Sequence, residues 1–423
     1  MARSRKITFK QFDWLTLVLY LLLVAAGLLT LYTIDTASGP SKPPTDFARK
    51  QGIWFITGFV FFVIIYLSDI KKIREWSSLF YLGGLLLLGG LFLFGKEISG
   101  AKAWYRIGSF GFQPAEYMKL ATALGLAKLL SERGFELDKK INILKSLLLI
   151  GIPAALILLQ PDLGTVLVFM AFIVVLYREG LSGYYISPVV WMTLLFLLTV
   201  IYGHIPVMLV LVSVFIAGLI VIYFKAKKHR WNYIVILSVF TLLSIGAVRL
   251  TSFVYNDLLK PHQQKRIALL LGKISDDKGV GYHLKQSLIA ISNGGLKGQG
   301  FRKGVQLQGN YIPEQHTDYI FTALAEQFGL TGSLLFLGIY LFFIVRLFIL
   351  AERQKQRFSR VFGYSLASLL SVHLFINILM VIGLFPVIGI PIVFVSYGGS
   401  SLFFFSIFLF LFLKFDANRV EEF

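Results

Sequence analysis

Cysteine does not occur in the 423-residue chain, which excludes disulfides, thiolate metal sites and cysteine nucleophiles. Charge is scarce as well. Asp, Glu, Lys and Arg make up 15% of the residues against 57% apolar ones, whereas a soluble domain carries about 25% charged residues. Acids are the rarer sign, 22 against 41 bases. The bases stand in short clusters between apolar runs, as orientation signals do, so nucleic acid is not an expected partner. No HExxH, GxSxG or P-loop pattern occurs, and GGLKGQG at 294–300 lacks the preceding strand that a dinucleotide fingerprint needs. Phosphate cradling by its amides stays open.

What is present is apolar sequence in runs of about 20 residues, each long enough to cross a hydrocarbon core of about 30 Å. The expected spans are 14–33, 52–67, 77–94, 114–130, 143–159, 163–177, 188–202, 206–224, 233–252, 319–351, 361–382 and 400–414. The fold class is therefore an all-α polytopic membrane protein with about 12 transmembrane helices, a single integral membrane domain over 1–423. The N-terminus, MARSRKITFKQFDW, leads straight into the first run without a cleavage pattern, so a retained span is expected rather than a signal peptide. With twelve crossings, Arg3/Arg5/Lys6/Lys10, Lys71/Lys72/Arg74, Arg133/Lys139/Lys140, Arg178, KAKKHR at 225–230 and Arg353–Arg360 all fall on one side. The positive-inside rule then makes both termini cytoplasmic and leaves a large extracytoplasmic loop, 253–318, between the ninth and tenth spans.

That loop is the long polar interval of the chain, and its richest part is 275–318. It holds Arg266, Asp276, Asp277, Lys285, Arg302, Lys303, Glu314, His316 and Asp318, with six glycines between 279 and 300 that free the backbone for tight turns. Charges of both signs beside an apolar cavity suit a lipid-linked, phosphate-bearing substrate. Each residue also has a plainer role: Glu314 and Asp318 can cap the next span, and His316 can be an ordinary hydrogen-bonded histidine. Two further charges stand in the membrane. Glu116 and Lys119, three apart on one helical face, either form a structural ion pair or present Lys119 to an anionic head group. Asp162 in QPDLGT stands at a helix start and is either an N-cap or part of the site. The Gly/Pro-rich turns at 160–165 and 383–401 are expected to line a cavity or re-entrant mouth, because irregular backbone at membrane depth needs protein or water around it.

Five stretches together resemble one family: AKAWYRIGSFGFQPAEYMKLA (101–121), QPDLGT (160–165), DDKGVGYHLKQSLIAISNGGLKGQG (276–300), PEQHTDYIF (313–321) and NILMVIGLFPVIGIPIVFVSYGGSS (377–401). In this order they are similar to the SEDS (shape, elongation, division and sporulation) proteins, the RodA/FtsW type, and the pattern after PEQHTDYIF sides with the elongation branch. The resemblance implies a peptidoglycan glycosyltransferase in the bacterial cytoplasmic membrane. Its substrate is lipid II, a disaccharide-pentapeptide on undecaprenyl diphosphate, polymerised on the outer face.

The family's essential aspartate, in D-x-x-G-x-G-Y, falls on Asp276, with Gly279, Gly281 and Tyr282 in the other places. Asp277 replaces the usual proline and is its rival. Asp276 is the expected general base. The resemblance assigns substrate contacts to Glu116, Lys119, Asp162, Arg266, Gln286, Ser287, Thr317, Asp318, Ser396 and Gly398. Two departures stand out: Val393 replaces a proline before SYGG, and the hairpin 188–224 exceeds the family's ten spans. The sequence names no certain cofactor, and Mg²⁺ assisting the diphosphate is left open without a dedicated site. Expected partners are a class B penicillin-binding protein and other elongation-complex membrane proteins. Alternatives from other classes are a lipid II flippase or a non-enzymatic scaffold.

Overall fold

The computed structural model describes residues 12–37, 45–98, 101–108, 110–226, 229–258, 264–265, 267–268, 280–309, 311–312 and 314–419. Every apolar run folds as helix, because in lipid each backbone polar group must find its partner within the segment. In order these are α1 (Trp14–Ala37), α2 (Phe47–Leu67), α3 (Ile70–Phe94), α4 (Pro114–Leu130), α5 (Lys140–Leu158), α6 (Leu163–Phe169), α7 (Ala171–Arg178), α8 (Gly183–Tyr202), α9 (His204–Lys225) and α10 (Arg230–Phe253). After them come α11 (Val280–Gly294), α12 (Val305–Gln308), α13 (Ile320–Glu352), α14 (Arg357–Val381) and α15 (Gly399–Ala417).

Among the described residues ten helices are long and apolar enough to cross a membrane. The expected count of twelve therefore holds as an approximation. The two runs short of that length are α4, 17 residues or about 25 Å, and 163–178, interrupted at Met170 between α6 and α7. Leucines such as Leu67 and Leu86 are 79% and 77% exposed. A surface that apolar is covered by lipid rather than water. The protein is a multi-pass membrane protein.

Two features were not legible in the hydropathy pattern. A three-stranded antiparallel sheet, β1 (Lys96–Ile98), β2 (Ala101–Ile107) and β3 (Phe110–Phe112), precedes α4. The turn between β2 and β3 uses Gly108 at φ 62, the left-handed conformation that two-residue hairpin turns require. The second feature is α11, a 15-residue helix in what reads as loop.

The chain divides into two compact units, Ser182–Asp277 and the remainder. In the smaller, α8, α9 and α10 pack through Leu195, Val207, Ala247 and Val248. A pocket of about 170 Å³ lies between the α8–α9 turn and the end of α10. In the larger, α4 and α15 are central: nearly every residue of both is buried. α4 buries nearly all its surface, against α3, α5, α14 and α15, which is why its only charged residues are Glu116, Lys119 and, in its last turn, Lys128.

α13 breaks at Gly329, φ 63 and ψ −163. The freed ladder positions are taken by the segment after α11: Leu330 N–H donates to Gly295 O at 2.8 Å and Thr331 N–H to Leu296 O at 3.1 Å.

Candidate functional site

The residues 383–398 run irregularly between the ends of α14 and α15; 383–389 are half-buried or exposed, 390–396 are buried except for half-buried Pro391, and side chains hold much of the backbone. Asn377, on α14, donates to Ile390 O at 2.6 Å and to Asp318 O at 2.8 Å. His373, one turn earlier, meets Pro391 O at 3.0 Å. Tyr340 of α13 donates to Val393 O at 3.1 Å. Ser396 Oγ accepts the Ile392 N–H at 2.9 Å. Gln51 of α2 holds both sides of the final turn, donating to Ser396 O at 3.0 Å and accepting from Gly398 N–H at 3.2 Å. This satisfies the condition for irregular backbone at membrane depth: the partners come from α2, α13 and α14 as well as from Ser396 within the segment, so it is fixed from several sides.

Most of the expected site residues gather around this segment. Lys119 Nζ donates to Glu116 Oε1 at 2.7 Å and stands 3.1 Å from His373 Nε2. The pair is sealed, with side chains 1% and 5% exposed. Its charges cancel, so Lys119 brings a hydrogen-bond donor to the site rather than net positive charge. Asp162 caps α6 through Thr165 N–H (3.0 Å) and Oγ1 (2.8 Å), and also accepts from Gln113 Nε2 at 3.3 Å. It is thus an N-cap that reaches the start of α4. Gly164 beside it meets the segment: a Cβ there would sit 3.0 Å from Ile388 O. Asp318 lies over Gly389, with Oδ2 3.3 Å from where a Cβ would be. Thr317 donates to Glu314 Oε2 at 3.1 Å.

Ser287 behaves differently from the expected substrate contact. It is fully buried, 2.9 Å from Thr322 Oγ1, and donates to Val381 O at 3.1 Å. That geometry ties α11 to α13 and α14. Gln286 beside it is half-buried. Arg302 is exposed and stands 6.0 Å from the Tyr32 ring. Asp276, Asp277 and Arg266 lie outside the described residues.

Three amides of GGLKGQG are already paired. Gly298 N–H donates to Gly294 O, Gln299 N–H to Glu326 O and Gly300 N–H to Gln327 O, at 2.8 to 3.0 Å. These three amides are turned to protein rather than to a phosphate, and the glycines allow the segment to dock on the break in α13.

Beside the segment, His316 stacks on Phe47 with ring centroids 4.0 Å apart, and its carbonyl accepts the Tyr397 N–H at 2.8 Å. Burial holds the His316 pKa below its ordinary value, against the opposing pull of Glu314 and Asp35. Burial likewise pushes the Tyr397 phenol up. Away from this region Glu179 accepts from Arg357 and Arg360 at 2.9 and 2.8 Å. Burial alone would raise its pKa, but the two guanidiniums outweigh burial and hold the carboxyl below the usual range.

Sequence reasoning missed His373, Gln51 and Glu326. His373 and Glu326 each stand inside an apolar run, and an intramembrane ionisable residue is a signal in itself. Gln51, at the edge of a run, gave none.

The fold and this polar-lined segment define a polytopic helical membrane protein whose site is assembled where one irregular connection meets α2, α6, α13 and α14. The sequence model of the FtsW/RodA/SpoVE family, described as cell cycle proteins, matches residues 13–213 and 207–420. The chain belongs to this family, the SEDS proteins. It is 30% identical to peptidoglycan glycosyltransferase RodA of Treponema pallidum, over 93% of this chain and 94% of that one. It is 33% identical to peptidoglycan glycosyltransferase MrdB of Escherichia coli, over 94% and 92%. Among solved structures it is similar to a chain of a peptidoglycan synthase complex that coordinates polymerization and crosslinking, with TM-score 0.70, 25% identity and coverage of 97% and 99%. Thermus thermophilus rod shape determining protein RodA matches with TM-score 0.63, 22% identity and coverage of 97% and 98%, a likeness of fold.

Proposed function

We propose that this chain is a peptidoglycan glycosyltransferase that polymerises lipid II on the outer face of the cytoplasmic membrane. The observation that carries the reading is full-length similarity, at 30% and 33% identity, to relatives named for that activity. The irregular segment 383–398 adds physical support, since polar side chains from α2, α13 and α14 converge on it beside lipid.

In this reaction the 4-hydroxyl of the acceptor's N-acetylglucosamine attacks C1 of the donor's N-acetylmuramic acid, and the lipid diphosphate leaves. Asp276 takes the hydroxyl proton as general base, a role worth about 10²- to 10⁴-fold in rate. One base opposite the leaving group gives inversion at C1. Arg266 and Arg302 neutralise charge developing on the diphosphate, and Lys119 contributes a hydrogen bond. Asp162, Gln286, Thr317, Asp318, Ser396 and Gly398 shape the pocket, and Ser287 holds the helices behind it.

Among the described residues no three His, Asp or Glu side chains converge as a metal site requires.

A role in elongation and a class B penicillin-binding protein as partner complete the proposal. The similarity to a chain of a complex that couples polymerization to crosslinking supports the partner. Cytoplasmic termini follow from the distribution of Lys and Arg.

The test is to incubate the purified chain with lipid II and resolve the products on a gel. A ladder of lengthened glycan is expected. Lipid II crossing a liposome bilayer without any lengthening would identify a flippase instead and overturn the reading.

A further inference from the structure

We propose that His373 is a positioning residue, which fixes the segment 383–398 and the Lys119 ammonium relative to each other through one tautomer. The proposal rests on the reading above that Lys119 and this segment line the lipid II site. The tautomer follows from the partners. Pro391 O, 3.0 Å from Nδ1, can only accept, so Nδ1 carries the hydrogen. Lys119 Nζ, 3.1 Å from Nε2, can only donate as an ammonium, so Nε2 offers its lone pair.

The ring has little freedom to do otherwise. His373 is buried, and the Phe405 ring packs against it edge to face, with centroids 5.5 Å apart and planes at 85°. Lys119 Nζ stands 5.5 Å from the same Phe405 ring.

Position along α14 gives the arrangement its reach. His373 and Asn377 are four apart, on one helical face, and hold consecutive carbonyls, Pro391 O and Ile390 O. Pro391 itself has no N–H to satisfy, and the next amide, Ile392 N–H, is taken by Ser396 Oγ. Three successive residues leading into SYGG are therefore anchored, and the anchor at Pro391 continues through His373 to Lys119 and Glu116 on α4. Lys119 has one donor left after Glu116 and His373, so the histidine decides where that donor points.

Two half-replacements separate the two hydrogen bonds. In His373→Asn the amide nitrogen reaches the place of Nδ1, keeping the donor to Pro391 but leaving Lys119 without its acceptor. In His373→Gln the amide oxygen reaches the place of Nε2, keeping Lys119 but releasing Pro391. The full-length variants are compared by hydrogen exchange of the peptide covering 383–398, by lipid II polymerisation and by melting temperature.

In His373→Gln, exchange at the Ile392 and Ser396 amides is expected to rise by about tenfold or more, because local opening governs exchange. In His373→Asn, exchange stays near wild type. Polymerisation falls by about tenfold to a hundredfold in both, as misplacement of a binding group does, at melting temperatures close to wild type. Equal exchange in the two variants overturns the proposal. So does wild-type turnover in both, or turnover that merely tracks melting temperature. The exchange pattern is read without substrate. A wild-type chain that makes no glycan while the pattern holds would contradict the proposed function and leave the anchoring role standing.

Discussion

Gly298 and Gly329 meet backbone to backbone: a Cβ built on Gly329 would collide with the Gly298 nitrogen, and one built on Gly298 with the Gln327 carbonyl. Both residues have positive φ, 82° and 63°. The break in α13 and the docking of the segment after α11 are thus one feature, and each glycine is needed for the other's approach. Gly329→Ala adds a methyl group where backbone atoms stand and places alanine at positive φ. A loss of about 1–3 kcal/mol is expected from the strain alone, read as a lowered melting temperature of the purified protein. Gly338, whose surroundings are open, is the control: Ala there is expected to be neutral or slightly stabilising.

Glu326 is completely buried, and its carboxylate accepts the Gln306 N–H at 2.8 Å and the Leu307 N–H at 3.0 Å on separate oxygens. Glutamine has only one such oxygen and would turn an amide N–H₂ toward one of these donors. Glu326→Gln is therefore expected to cost about 1–3 kcal/mol, the penalty of an unsatisfied buried group. Limited proteolysis should show new cutting within 299–309, the stretch this side chain holds.

His316 sets a pH dependence on the acid side. Burial lowers its folded pKa below the ordinary value of about 6.5, so the unfolded chain binds the proton more readily than the folded one. The contribution to stability is fully present above the unfolded pKa and is lost as pH falls through the folded one. Melting temperature should accordingly fall as pH drops below about 6.5. His316→Phe, which preserves the stack on Phe47, should flatten that slope.

The helices were legible because lipid imposes a single rule on the backbone and the apolar runs announce it. What hydropathy does not encode is pairing among polar groups. α11 was hidden because its 15 residues mix apolar and polar positions, and the sheet before α4 because its strands are short. The Glu116–Lys119 pair could be read from its spacing, but not His373, whose partners are 254 and 18 residues away. Asp162 is the cap its position suggested, and its neighbour Gly164 is the residue that approaches the central segment. The glycines of GGLKGQG were read for what they permit, tight turns, whereas the partner that uses the permission, Gly329, lies in another apolar run.

The central claim is that Asp276 removes the proton from the acceptor hydroxyl. Its most direct measurement is the rate of lipid II polymerisation by full-length, membrane-inserted Asp276→Asn and Asp277→Asn beside wild type. The account predicts a loss of about 10²-fold or more for Asp276→Asn, with Asp277→Asn retaining activity. Full activity in a folded Asp276→Asn protein would contradict it.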